Sequence, residues 1–198
     1  MPRRDDIHKI LIIGSGPIVI GQACEFEYSG SQACRSLMED GYEVVLINSN
    51  PATIMTDPMM ADSIHLKPLT TESVKEVVEL EKPDAVLPTM GGQTALNLAK
   101  DLQNEGFWKE RGIDIIGVNI DAVEITESRS AFSQLLTRIG IDQCDSDTAT
   151  SLLEAKEISL KLGGLPFVIR PSYTLGGTGG GIVWNQDEFE RKVTRGLE

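Results

Sequence analysis

Short apolar runs alternate with helical stretches through residue 127, and this alternation limits the possible folds more than any other property of the chain. Lys9–Ile13, Glu43–Asn48, 85–88 and 113–116 read as strands. Residues 31–39, Thr71–Glu81 and 94–102 carry helical patterns between them, the first stopping at Asp40-Gly41, where a glycine commonly closes a helix. Strands joined by helices of about ten residues imply parallel βαβ units with right-handed crossovers. The expectation is a Rossmann-like, doubly wound α/β layer with a parallel sheet.

Beyond residue 127 the pattern changes. Residues 128–139 predict a helix with Arg129 near its start and an apolar stripe of Phe132, Leu135, Leu136 and Ile139. A second helix over 151–162 opens with Ser151 and Glu154 three residues on, a capping-box spacing. A glycine-rich connection follows, then a last helix from about Gln186. This is the opening of a second, α+β domain over residues 128–198.

Charge and composition exclude several classes. A net charge of −12 and a pI near 4.6 argue against a nucleic-acid partner, which needs clustered Lys and Arg for its phosphates. No segment is long and apolar enough to suggest a membrane span or a signal-peptide core. Cys24, Cys34 and Cys144 form no CxxC pair and are odd in number, as expected of reduced thiols in the cytoplasm. His8 and His65 have no carboxylate or thiol at ligand spacing, so no metal site is expected within the chain.

Two glycine loops invite a ligand, for different reasons. Gly14, Gly16 and Gly21 resemble a dinucleotide fingerprint, but the third glycine comes too late, and the second strand ends at Asn48 without an acidic residue. A glycine turn after the first strand is the better reading there. The loops Asn48-Ser-Asn-Pro-Ala-Thr and Pro88-Thr-Met-Gly-Gly-Gln lie at neighbouring strand ends, where open α/β sheets place ligands, though each is also ordinary turn chemistry. The stretch Arg170-Pro-Ser-Tyr-Thr-Leu-Gly-Gly-Thr-Gly-Gly-Gly181 is more pointed. It runs from one apolar strand into another with five glycines in its last six positions and a guanidinium at its head. Glycine amides close on anions, and an arginine reaches phosphate bidentately. The pattern reads as a phosphate-covering loop, whereas a bare linker would lack the flanking strands. Phosphoryl transfer also needs carboxylates to hold Mg²⁺, and Asp187, Glu188 and Glu190 fall on a solvated helix.

Four segments together carry a specific resemblance. Gly14-Ser-Gly-Pro-Ile-Val-Ile-Gly-Gln-Ala-Cys-Glu-Phe-Glu-Tyr-Ser-Gly, Asn48-Ser-Asn-Pro-Ala-Thr-Ile-Met-Thr-Asp, Pro88-Thr-Met-Gly-Gly-Gln-Thr-Ala-Leu-Asn and the Arg170 loop are similar, in this order, to the N-terminal half of the carbamoyl-phosphate synthase large subunit. The resemblance implies a pre-ATP-grasp domain over residues 1–127 and the first, incomplete part of an ATP-grasp domain over 128–198. It implies Mg-ATP as the phosphoryl donor to bicarbonate, giving carboxyphosphate, and ammonia released from glutamine by a small amidotransferase subunit. The product, carbamoyl phosphate, would serve arginine and pyrimidine biosynthesis. Arg129, Arg170, Gly176 and Gly177 fall on family positions that contact ATP. The family's Mg²⁺ ligands fall past Glu198, so no complete catalytic set is expected here and the segment alone should be inactive. Residues 18–25 match a stretch that either lines the family's internal tunnel or packs in the core. A second reading stays open, a short non-catalytic module that binds the amidotransferase or another partner through its strand-end loops.

Overall fold

The structure, a computed structural model, describes residues 3–17, 25–171 and 179–197. The chain divides into two compact units, Met1–Val123 and Glu124–Glu198.

The first unit is built on a parallel sheet of five strands: β1 (Lys9–Ile13), β2 (Glu43–Asn48), β3 (Ser63–Leu66), β4 (Ala85–Leu87) and β5 (Asp114–Ile115). Their order is β3-β2-β1-β4-β5, with Ile10 opposite Val44 on one side and Ala85 on the other. The central strands are continuously apolar because helices cover both faces. On one face Leu11, Ile13, Val45, Ile47 and Val86 pack against α2 (Thr71–Glu81), α3 (Gly92–Asn104) and α4 (Phe107–Arg111). There Trp108 is fully enclosed, its indole N–H donating to the Ala99 carbonyl at 2.9 Å. On the other face Ile10, Ile12, Val44 and Leu46 meet Cys34 of α1 (Glu25–Glu39) and Met55.

The sequence reading does not anticipate α4 or the helix over Ile120–Glu127, and two further elements differ from its expectation. The first helix begins at Glu25 rather than near residue 31. Ser29-Gly30-Ser31 depresses local helix propensity, but a side chain on Gly30 would run into Met55, so close packing retains the glycine inside the helix. Strand β3 is not announced by its pattern, since two of its four residues are polar and it lies at the sheet edge with none fully buried. Its pairing with β2, Val45 opposite Ser63, places it.

The second unit contains α6 (Arg129–Arg138), α7 (Leu152–Lys161), α8 (Gln186–Leu197) and an antiparallel pair, β6 (Phe167–Ile169) and β7 (Gly181–Val183). The preceding helix α5 (Ile120–Glu127) spans the division between the units. Val183, Phe189, Val193 and Ala155 form its small core, with Phe167 and Phe189 edge to face at 5.7 Å. Ser151 caps α7 by accepting from the Glu154 N–H at 3.2 Å. The Glu154 carboxylate turns back to the Thr150 N–H at 2.7 Å, one residue before the expected capping-box partner. The apolar stripe of α6 forms at helical spacing, yet α6 buries none of its residues.

Candidate functional site

The hairpin of the second unit carries Arg170 at the end of β6, and Arg129 makes a contact at its root. Period-two geometry puts Phe167 and Ile169 on the face covered by the small core, and Val168 and Arg170 on the other. Across the pair Val168 stands opposite Ile182, and Trp184 follows two residues later. Val168, Ile182 and Trp184 are 62%, 51% and 67% exposed, an apolar plane with the Arg170 guanidinium at its loop end. The single residues drew attention in the sequence, and this plane did not, although its alternation was readable.

Arg129 arrives from α6. Ser128 caps that helix by accepting from the Ala131 N–H at 3.3 Å, which fixes Arg129 as its first residue. From there the Arg129 guanidinium donates to the Pro171 carbonyl at 3.5 Å, across 42 residues of sequence. Arg129 and Arg170 are both exposed, and neither has a carboxylate partner among the described residues. Arg170 immediately precedes Pro171 in the chain, and exposed guanidinium groups without a carboxylate partner suit an anion. Gly176 and Gly177 lie outside the described residues, as do Cys24 and residues 18–24 of the stretch considered for the tunnel.

The carboxylates nearest in sequence have structural duties. Glu188 accepts from the Trp184 N–H at 3.0 Å at the start of α8. Glu190 pairs with Lys156 at 2.7 Å, and that contact holds its carboxyl below the ordinary range. No group of three His, Cys, Asp or Glu side chains could hold a metal ion among the described residues.

The carboxyl edge of the first unit is arranged differently. The Asn48 side chain, 1% exposed, accepts from the Gly16 N–H at 3.0 Å and the Asn50 N–H at 3.3 Å, tying the loop after β1 to the end of β2. Strand order reverses between β1 and β4, where doubly wound sheets open a ligand crevice. At this end of the sheet a Cβ on Gly91 would run into the carbonyl oxygens of Ile13 and Gly14 and the Ala95 side chain.

At the opposite edge the structure corrects the reading of His65 as isolated. Its Nε2 lies 2.7 Å from Glu81, which also accepts from Ser63 at 2.6 Å and from Lys9 at 3.4 Å. Partners separated by 16 residues meet because β3 and the end of α2 come together there. Burial pushes the Glu81 carboxyl up, but the hydrogen bonds from Ser63, His65 and Lys9 outweigh it and leave it below its ordinary value. Lys9, Glu43 and Ser63 are the first residues of their strands, so this network belongs to the amino edge, away from any ligand crevice. Cys34 is buried, and burial pushes its thiol up to about 11, consistent with packing rather than reactivity.

Comparison with known proteins shows the family. Residues 6–125 match the family described as carbamoyl phosphate synthase preATP-grasp domain, and residues 128–198 match carbamoyl-phosphate synthase L chain, ATP binding domain. The chain belongs to the carbamoyl phosphate synthase large-chain family. Over all 198 residues it is 54% identical to the carbamoyl phosphate synthase large chain of Synechocystis sp. and 56% identical to those of Nostoc sp. and Halomonas eurihalina. It spans 18% of the length of each of these large chains. Among solved structures, the biotin carboxylase domain of Hydrogenobacter thermophilus 2-oxoglutarate carboxylase, in complex with MgADP, ADP and bicarbonate, superposes with a TM-score of 0.70 at 22% identity. That match covers 98% of this chain and 41% of the other. The N5-carboxyaminoimidazole ribonucleotide synthetase of Thermotoga maritima gives 0.61 at 18% identity, covering 93% and 43%. Both likenesses are of fold, and they agree with the α/β architecture expected for this carbamoyl phosphate synthase segment.

Proposed function

We propose that this segment forms one wall of the ATP site at which a carbamoyl phosphate synthase large chain phosphorylates bicarbonate. Residues 1–127 act as its pre-ATP-grasp domain and 128–198 as the first part of its ATP-grasp domain. The observation that carries this is the reach of the Arg129 guanidinium to the Pro171 carbonyl, one residue after the exposed Arg170 at the end of β6, whose outer face with β7 is an open apolar plane. Arg170 and Arg129 neutralise the polyphosphate, and the family resemblance assigns Gly176 and Gly177, outside the described residues, to the same ATP contacts. Val168 and Ile182 offer the surface on which a base can lie. Bound ATP supplies the γ-phosphoryl group that activates bicarbonate toward ammonia. The carboxylates that hold Mg²⁺ come from further along the large chain, in keeping with the engagement of Glu188 and Glu190 here. The matched ATP-binding family and the bicarbonate and MgADP bound by the Hydrogenobacter domain support this assignment. In the same reading the ammonia is released from glutamine by a small amidotransferase subunit, and the enzyme works in the cytoplasm for arginine and pyrimidine synthesis.

Arg170→Ala in the full-length large chain tests the site. A charge-assisted hydrogen bond contributes about 1.5–3 kcal/mol, so bicarbonate-dependent ATP hydrolysis should fall about tenfold to a hundredfold in kcat/KM. Unchanged turnover would remove Arg170 from the site.

A further inference from the structure

We propose that a groove on the first unit, between α1 and the segment after β2, docks a later segment of the same large chain. The docked segment presents an apolar side chain with a carboxylate beside it. The inference rests on membership of the large-chain family and is independent of the ATP site.

The groove has a volume of about 350 Å³. Tyr28, Ser31 and Arg35 line it from α1, at spacings that share one helix face, and Ile54 and Met60 line it from the segment after β2. Its shape is fixed without an occupant. Glu27 accepts from the Ile54 N–H at 2.9 Å, and Thr53 caps the single helical turn Ile54–Thr56 by accepting from the Met55 N–H at 3.3 Å. Met55 itself is fully buried against Gly30 of α1. The Ser31 hydroxyl donates to the Glu27 carbonyl at 2.7 Å, which leaves the lining largely apolar. Yet Tyr28 and Ile54 are 71% and 56% exposed, and Met59, next to Met60 in the chain, is 85% exposed. Walls so open would leave a small molecule mostly in water, whereas a protein surface covers them, and aromatic side chains, Met and Arg are enriched at such interfaces. The exposed Arg35 guanidinium makes no hydrogen bond or ion pair among the described residues, although the chain carries a net charge of −12. An unpaired guanidinium beside an apolar groove selects a carboxylate.

The size of the groove points to the occupant. Seven described residues line it, whereas a stable complex of separate chains needs about 20–30 residues a side. A segment of the same polypeptide needs far fewer, because tethering raises its effective concentration to about the millimolar range. The chain spans 18% of the length of the large chains it matches, so most of such a polypeptide lies outside these residues and is tethered to them.

The test is crosslinking in the full-length large chain, purified with any subunit that accompanies it. Benzoylphenylalanine substituted at Tyr28 is irradiated and the linked peptides are mapped by mass spectrometry. Separately, Arg35→Lys supplies an amine that a carbodiimide couples to a carboxylate in contact with it. Both positions are exposed, so neither change disturbs the core. Both links should join the groove to peptides beyond residue 198 of the same polypeptide, the second on an Asp or Glu side chain, and the photoproduct should keep the mass of a single large chain. Links that stay within residues 1–198, reach another subunit or a second copy of the chain, or fail to form would overturn the proposal. The links do not depend on the ATP site, so a silent Arg170→Ala would defeat the ATP reading and leave this one standing.

Discussion

Asn48 ties two strand-end loops together, and replacing it with alanine should destabilise the first unit by about 2–3 kcal/mol. The side chain is enclosed and its Oδ1 accepts from two backbone donors, the Gly16 N–H at 3.0 Å and the Asn50 N–H at 3.3 Å. Gly16 is buried, so its N–H has no water to replace the lost acceptor, and an orphaned buried donor costs about 1–3 kcal/mol. Asn50 is half exposed and can be rehydrated, so its share is small. The vacated space against Gly14 adds a cavity contribution of about 1 kcal/mol. Urea unfolding followed by Trp108 fluorescence measures the effect. The other tryptophan, Trp184, is exposed and lies in the second unit, so a Trp184→Phe background confines the signal to the first. At constant m-value the midpoint should fall by about 1–2 M, taking m near 1.5–2 kcal/mol/M for a unit of this size. Asn50→Ala, which loses only the exposed bond from the Ala52 N–H, should cost less than about 0.5 kcal/mol. A change below about 0.5 kcal/mol for Asn48→Ala would show that Gly16 N–H finds another acceptor and would refute the reasoning.

Gly91→Ala isolates close packing from backbone strain, because Gly91 has an ordinary φ of −119°. Its new methyl would press on the Ile13 and Gly14 carbonyl oxygens, so the same fluorescence assay should give a loss of about 1–3 kcal/mol; none would mean that the loop yields freely. Glu81 sets an acid limit. Its folded carboxyl lies below the ordinary value of 4.5, despite burial, because Ser63, His65 and Lys9 donate to it. Its stabilisation is complete above that value and is lost as pH falls through the lower folded pKa. Glu81→Gln should therefore flatten the stability profile of the first unit below about pH 4.5, and an acid limb parallel to wild type would exclude Glu81 as its source.

Much of the first unit was legible because local pattern and tertiary structure agree there. The runs at Lys9–Ile13 and Glu43–Asn48 are apolar at nearly every position, and helices on both faces give them the same environment throughout. Strand β3 escaped because an edge strand with half-exposed residues has no such pattern to display. The early start of α1 escaped because Gly30 answers to Met55, a contact from another part of the chain.

The candidate site divides in the same way. The sequence by itself determined the chemical inventory: a guanidinium ending a strand, a glycine run between two apolar strands, a capped helix opening with Arg129, and motifs specific enough to name a family. Those properties reside in residue type and short spacing, which a linear chain displays directly. Only the tertiary structure decided that Arg129 reaches the Pro171 carbonyl, that Val168 and Ile182 form an open plane, and that His65 meets Glu81. It also set Tyr28 and Arg35 of α1 beside Ile54 and Met60. Each of these joins residues distant in sequence whose meeting depends on strand register and on which helix face the core claims, and no local pattern encodes that.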